Sequence, residues 1–290
     1  MKTLVFGEIL WDCFENKKEL GGAPLNFACH FSLLGGDACM VSAVGNDENG
    51  ILSLHDAEKH GVNIKYVPKT SYNTGYCNVT LKNGKPSYDL VSPVAYDFIP
   101  FPETTESFAG FYFGTLAQRN AVSRNTLKKL LENNYDEVFF DINIRQNYYT
   151  REIIDYSLSK STILKTSREE IHVFKELGFA KGENEEAICV SLAESYNLKL
   201  IIVTLDRDGA MVYDCKTGNA ISSKKPTGKV VSTVGAGDSF SACFFYNYLK
   251  GEKTAACLDR AVTLSDYVVT VLGAVCEYPY PDELKRKLGI

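Results

Sequence analysis

Long apolar runs are missing from this chain, and none approaches the roughly 18 residues that a membrane helix needs. Blocks of like charge are missing too, since Lys and Arg are spread along a sequence of formal net charge −5. Neither a nucleic acid nor an anionic membrane is therefore expected as a partner. The opening Met1-Lys2-Thr3-Leu4-Val5-Phe6-Gly7-Glu8 lacks the apolar core and small-residue cleavage site of a signal peptide, and a cytoplasmic location is expected. Nine cysteines are present without a C-x-x-C pair, which argues against a zinc site or a disulfide framework. Most are expected to be reduced and to serve as small apolar core residues. His55 and His60 lie five apart, the wrong spacing for one helix face, so neither reads as a metal ligand. The P-loop pattern G-x-x-x-x-G-K-[ST] is absent. A dinucleotide fingerprint is absent as well: Gly235-Ala236-Gly237 runs on into Asp238-Ser239-Phe240, with a bulky residue where the third glycine belongs.

What remains is 290 residues, 45% hydrophobic, enough for one sizeable core with a small appendage, so 1–290 is read as one domain. Apolar runs at 4–10, 38–44, 110–114, 137–141, 162–165 and 200–204 predict buried strands. Between and after them, helices are predicted from Pro24 to the Gly35-Gly36 stop and over 48–60, 122–133, 151–159, 169–177, 185–196, 236–250, 254–272 and 281–288. That alternation is the mark of an α/β fold with a doubly wound, mostly parallel sheet flanked by helices. Two stretches break it. A hairpin is expected over 210–214 and 219–223, and 62–98 turns extended, with 76–81 and 86–91 flanking Lys82-Asn83-Gly84-Lys85. Parts of 11–20 and 62–98 are read as a small β-sheet lid over the ligand edge, whose exposed edges invite a second copy of the chain.

The stretch with most chemistry in it is Val230-Val231-Ser232-Thr233-Val234-Gly235-Ala236-Gly237-Asp238-Ser239-Phe240. It reads as strand, tight turn and helix start, where small residues and unpaired N–H groups favour an anion such as a phosphate. Asp238 in the first turn is suited to taking a proton from an attacking hydroxyl; the alternative is that it only complements the helix dipole. Asp12, near the end of the first strand, is either a turn former or a ligand at the sheet edge. Asn26 in the first turn of the first helix is either a solvated residue or a ligand. Asp141-Ile142-Asn143-Ile144-Arg145 would put acid, amide and guanidinium on one face if its strand continues that far. Ser167-Arg168-Glu169-Glu170 reads as a capping box that also brings a carboxylate near a bound metal. Thr204-Leu205-Asp206-Arg207-Asp208-Gly209 is a strand end and turn that lies against a nucleotide or only links two strands.

In this order, these stretches resemble the PfkB (ribokinase-like) family of carbohydrate kinases, and most closely its fructokinase branch. The resemblance is carried by Gly7-Glu8 with Asp12, Gly21-Gly22-Ala23-Pro24-Leu25-Asn26, Val41-Ser42-Ala43-Val44-Gly45-Asn46-Asp47, Val94-Ala95-Tyr96-Asp97 and Phe113-Gly114-Thr115-Leu116-Ala117-Gln118-Arg119. It continues through Asp141 to Arg145, Lys165-Thr166-Ser167-Arg168-Glu169-Glu170 and Thr233-Val234-Gly235-Ala236-Gly237-Asp238. The resemblance implies a ribokinase-like fold with a β lid that moves the γ-phosphoryl of ATP to a sugar hydroxyl. Asp238 matches the family's base, and the amides of Gly235, Ala236 and Gly237 its anion hole. Asp12, Gly22 and Asn26 match positions that hold sugar hydroxyls; Arg119, Asn143 and Arg145 are also placed on the substrate side. Lys165, Thr204, Gly209 and Gly237 match the nucleotide side, and Glu170 the acid that organises Mg²⁺ through water.

Fructose is the expected acceptor, with 2-keto-3-deoxygluconate or ribose next, and a catalytically silent sugar-binding sensor is the alternative of another class. Two departures from the family pattern stand out. Ser232 occupies the place of an Asp tied to a monovalent-cation site, which puts potassium activation in doubt. Asp206 occupies the place of a glycine beside the nucleotide, where an added carboxylate opposes polyphosphate.

Overall fold

The computed structural model describes residues 1–82, 85–276, 278, 286 and 288. In chain order, β1 (Lys2–Phe6) leads through β2 (Leu10–Cys13) and β3 (Lys18–Gly21) to α1 (Ala23–Leu33), β4 (Asp37–Val41), β5 (Val44–Gly45) and α2 (Glu48–Lys59). Next come β6 (Asn63–Tyr66), β7 (Lys69–Thr70), β8 (Gly75–Lys82), β9 (Lys85–Leu90), β10 (Gly110–Gly114), α3 (Ala121–Leu130), β11 (Glu137–Asp141) and α4 (Arg151–Lys160). Then follow β12 (Ile163–Ser167), α5 (Ile171–Glu176), α6 (Glu185–Ser195), β13 (Leu200–Thr204), β14 (Ala210–Asp214), β15 (Asn219–Ser222), α7 (Ala236–Leu249) and α8 (Thr254–Val268). The tip of the 82–85 hairpin and the helix expected over 281–288 lie outside the described residues, Arg286 and Leu288 excepted.

Among the described residues, one sheet of nine strands runs β15-β14-β13-β12-β11-β10-β1-β4-β6. It is parallel from β6 to β13, and the β14–β15 hairpin adds an antiparallel edge. Strands β1, β10 and β11 are near-continuous apolar runs because helices cover both faces of such a sheet. On one face α1, α7 and α8 pack together around a stacked aromatic core in which Phe27 lies 3.8 Å from Tyr112, centroid to centroid. The chain winds outward in both directions from β1 and β10, so the strand order reverses between those two strands. Open α/β sheets bind ligands at the carboxyl ends of the strands at such a switch point.

A second sheet, β3-β2-β8-β9, forms the lid. It uses 10–13, 18–21, 75–82 and 85–90, which narrows the expected lid. Residues Asn63–Tyr66 form the edge strand β6 of the main sheet, not part of the lid. The first strand is also shorter than the 4–10 run. It ends at Phe6, and Leu10–Cys13 pairs with β8 in the lid, so Asp12 lies on a lid strand. Ile9 and Leu10 are buried as well, and apolarity alone could not locate where the chain changes sheet.

The expected strand before Gly235 is a loop, with Val230, Val231 and Val234 50%, 55% and 47% exposed. Its β-branched residues pair with no strand among the described residues. The amides of Val231 and Ser232 instead donate to the Val269 carbonyl, where α8 has ended and where 254–272 was expected to stay helical.

Candidate active site

Helix α7 starts with Gly235 as its N-cap in the left-handed region, φ 79°, the conformation that favours glycine. A side chain there would also meet the Ala274 carbonyl oxygen at 2.1 Å. His30 holds that carbonyl in place. Its Nε2 donates to Ala274 O at 3.0 Å, which makes Nδ1 the acceptor for the Tyr278 hydroxyl at 2.7 Å. Burial pushes His30 down to about 4, so the ring is neutral at pH 7. The Ala236 amide donates to Thr233 O at 3.3 Å within the turn, so of the expected anion hole the amides of Gly235 and Gly237, followed by that of Asp238, are those without a backbone partner among the described residues.

Asp238 occupies the first turn, and the Asn26 side-chain amide donates to its Oδ2 at 2.8 Å. Burial pushes Asp238 up to about 6; the Asn26 hydrogen bond opposes this, Asp141 adds to it, and Lys165 and Arg145 oppose it. Asn26 reaches Asp238 because Gly22, at φ 107°, caps α1 and lies tight against Glu8, where a Cβ would meet the Glu8 carbonyl at 2.5 Å. Beneath the α7 turn lies a buried ion pair. Lys165 Nζ donates to Asp141 Oδ1 and Oδ2 at 2.9 and 3.0 Å, and the hydroxyls of Ser241 and Tyr112 donate to Oδ2. Burial opposes charge on Lys165, but Asp141, Glu170 and Asp238 together outweigh it and hold its pKa above the ordinary value. The ammonium is 3.5 Å from where a Gly237 side chain would begin, so a positive charge backs the helix N-terminus.

A cleft of about 1190 Å³ opens on this turn. Lys165, Thr204, Gly209, Ala236, Gly237 and Glu170 line it, as do Asn143 and Arg145, while Phe240, Val230, Val262 and Val269 supply an apolar wall. Asn143 and Arg145 had been expected to share a strand face with Asp141. Strand β11 stops at Asp141, and the turn that follows takes Asn143 to φ 36°, so Asp141 points to Lys165 while the other two line the cleft. Glu170 completes the capping box: Ser167 N donates to its Oε2 at 3.0 Å, and its own amide donates to Ser167 Oγ at 3.1 Å. Its Oε1 accepts from Ile144 N at 2.7 Å, which ties the two loops together. With an amide on each oxygen, the carboxylate suits a water-mediated contact to a cation better than direct coordination. Among the described residues, no three His, Cys, Asp or Glu side chains are grouped to hold an ion.

The other side of the α7 turn faces the lid. Asp12 on β2 is half-buried; burial and then Glu19 raise its pKa, and Arg145 opposes them. Arg145 therefore acts on Asp12 and Asp238 while it lines the cleft. Arg119 differs from its expected place beside the substrate. Its Nε and Nη2 donate to Asp97 at 2.7 and 3.0 Å, and its Nη groups reach the carbonyls of Leu90 and Val91. The guanidinium lies between the rings of Tyr96 and Tyr148, at 4.7 and 4.8 Å from their centroids. With its donors so used, Arg119 anchors the lid and is not a free cation in the site. The Arg119–Asp97 and Lys165–Asp141 pairs went unseen in the sequence, where no local pattern links residues so far apart.

Asp206 lines the cleft at φ 51°, a left-handed backbone region that Asp tolerates better than most residues. Burial and then the hydrogen bond that its protonated carboxyl donates to the Glu169 carboxylate raise its pKa, so of the two carboxyl groups Asp206 holds a shared proton the more tightly. Replacement by Gly (Asp206→Gly) removes one of these charges at no backbone cost. ATP affinity measured by calorimetry at pH 8 should then rise about three- to tenfold, and an unchanged Kd counts against a nucleotide-facing Asp206.

The model of the pfkB family carbohydrate kinases matches residues 2–279. Over 286 residues the chain is 28% identical to an ATP-dependent 6-phosphofructokinase of Thermoanaerobacterium thermosaccharolyticum, an alignment covering 95% of this chain and 86% of that protein. It is 27% identical to a fructokinase of Klebsiella pneumoniae, across 92% of this chain and 91% of the relative. Among solved structures, a fructokinase of Xylella fastidiosa with bound ATP superposes with a TM-score of 0.84 at 20% identity, over 99% of this chain and 98% of that one. With the family model matching almost end to end on a doubly wound sheet whose switch point carries these groups, the chain belongs to the pfkB family of carbohydrate kinases.

Proposed function

We propose that the chain transfers the γ-phosphoryl group of ATP to a hydroxyl of fructose. The observation that carries this reading is Asp238, held by Asn26 in the first turn of α7 between a nucleotide-sized cleft and the lid. Its carboxylate takes the proton of the acceptor hydroxyl as that oxygen attacks phosphorus and ADP leaves. The amides of Gly237 and Asp238, backed by Lys165, stabilise charge on the transferring group. Glu170 would hold Mg²⁺ through water, and the ion would supply neutralisation of the polyphosphate charge. Potassium forms no part of the proposal, because Ser232 offers only a hydroxyl, which accepts the Val234 amide at 3.2 Å.

A neutral acceptor suits the charges on the lid side. Glu8, Asp12 and Asp238 each have Arg145 as an opposing charge, Asp238 acts on Glu8 as well, and Arg119 is already matched by Asp97. A sugar phosphate would bring two more negative charges to that face. The second reading, fructose 6-phosphate as acceptor, draws on the activity in the name of the Thermoanaerobacterium relative. ADP release with fructose, fructose 6-phosphate, ribose and 2-keto-3-deoxygluconate decides between them. Fructose should give the highest kcat/KM; a higher value for the phosphate ester overturns the neutral-acceptor reading, and binding of sugar without ADP release favours the silent sensor.

We also propose a cytoplasmic enzyme that pairs through the lid, whose outer strands β3 and β9 each leave one edge unpaired within the chain. No helix among the described residues is long and apolar enough to cross a membrane. Sedimentation tests the pairing: a dimer dissociated by a proline placed in β3 is expected, and a monomer rules it out.

A further inference from the structure

Two buried polar atoms beneath the lid have no hydrogen-bond partner: Glu8 Oε2 and the Tyr96 hydroxyl. Their residues are 3% and 0% exposed, so bulk water does not satisfy them. A native fold rarely leaves such groups unmatched, because each costs free energy unless a ligand or an ordered water completes it. Both are drawn to one place by close backbone approaches. Glu8 follows β1 at the switch point, and Gly22 presses on its carbonyl. On the other side, a side chain on Gly75 of lid strand β8 would meet the Ile9 carbonyl and the Tyr96 ring, each at 2.6 Å. The Glu8 charge acts on Tyr96, and the Asp238 charge acts on Glu8, so the three lie within electrostatic reach of one another. Arg119, stacked on the Tyr96 ring, has its donors committed to Asp97 and the lid carbonyls and leaves both oxygens unmatched.

We infer that Glu8 and Tyr96 form a hydroxyl-reading subsite for the acceptor: one sugar hydroxyl donates to Glu8 Oε2 and accepts from the Tyr96 O–H, fixing which other hydroxyl meets Asp238. The chemistry selects an alcohol. A carboxylate is an acceptor and a phenol a donor, and a hydroxyl group is both at once. Burial pushes the Glu8 carboxyl up to about 7, and in its ionised form it repels a phosphate or carboxylate on the ligand. In the proposed site Asp12 holds the sugar from the lid and Asn26 from α1, and Glu8 and Tyr96 add the hydroxyl-reading pair. The subsite makes the enzyme sensitive to the absence of a hydroxyl, since an analogue without it leaves two buried groups unpaired.

This inference rests on the sugar-kinase reading, and the experiment separates the two. Wild type, Tyr96→Phe and Glu8→Gln are compared in KM for fructose, KM for ATP, and thermal midpoint without ligand. Tyr96→Phe removes one oxygen and no packing, so it stands as the test even if Glu8→Gln folds poorly. The fructose KM is expected to rise about tenfold in Tyr96→Phe and about 10- to 100-fold in Glu8→Gln, with the ATP KM within about twofold of wild type. The ligand-free midpoint should hold or rise in Tyr96→Phe, because an unmatched buried hydroxyl is removed. In a series of monodeoxy fructoses, one analogue should be poor for wild type yet lose no further ground in Tyr96→Phe. A lowered midpoint with an unchanged fructose KM assigns the pair to an internal water and overturns the inference alone. A wild type that phosphorylates no sugar overturns the sugar-kinase reading and this inference with it.

Discussion

Replacing Asp238 by Asn is expected to slow phosphoryl transfer by about 10²- to 10⁴-fold while sugar and ATP still bind. The substitution keeps the shape of the side chain and removes only its capacity to accept a proton. Burial raises the Asp238 carboxyl from 3.8 to about 6, close enough to neutrality to make it an effective base near pH 7. In wild type, kcat/KM should fall as pH drops through about 6, the range in which the carboxylate gains a proton. That acid limb should be missing from Asp238→Asn. Stability runs the other way. A carboxyl whose folded pKa is raised gives its full contribution below the unfolded value, and the contribution is lost as pH rises through the folded value. Asp238→Asn should therefore gain in thermal midpoint relative to wild type between about pH 4 and pH 7.5. Equal turnover in the two proteins would remove Asp238 from the role of base. A pH-independent difference in midpoint would mean that its charge is not desolvated.

How much of this was legible beforehand depended on whether the physics was local. Strands β10, β11 and β13 were bounded correctly because each is a short apolar run that ends at a turn or a polar residue. The Ser167–Glu170 box was legible because both partners lie within one turn. The boundary between β1 and β2 was not, since the run is equally apolar under the main sheet and under the lid. Residues 230–234 have the composition of a strand, but strand formation needs a neighbouring strand, and the amides of Val231 and Ser232 are used instead by the Val269 carbonyl at the end of α8. The site itself is assembled from distant parts. Asn26 meets Asp238 across 212 residues, and Lys165 meets Asp141 across 24, distances at which residue spacing carries no signal. The motif order located these positions, while their pairing came only with the fold. Arg119 shows the cost of that gap, for an Arg in a substrate-like motif cannot be told from an Arg already committed to a buried Asp.

That commitment makes Arg119 the second position of large effect, through stability and lid placement. Its side chain and that of Asp97 are 4% and 0% exposed, so the pair is shielded from solvent. Replacement by Met fills much of the same space but leaves Asp97 with only Ser92 Oγ and the Val94 amide, each at 3.0 Å. Breaking one side of a buried ion pair costs about 3–5 kcal/mol, because the remaining charge stays desolvated. For a chain of this size that corresponds to a thermal midpoint lowered by about 5–15 °C. The loss is not general, because Leu90 and Val91 at the base of the lid lose the donors that fix them. The KM for the sugar should therefore rise more than the KM for ATP, since the cleft proposed for the nucleotide is lined by no residue of the four lid strands. Arg119→Lys should recover little, since an ammonium cannot serve Asp97 in a bidentate way, reach two carbonyls and stack between Tyr96 and Tyr148. The double variant Arg119→Met with Asp97→Asn should be more stable than Arg119→Met alone, because no buried charge is left unpaired. If the double variant is instead as unstable as the sum of its parts, the pair contributes no coupling, and the lid is held by packing around the tyrosines.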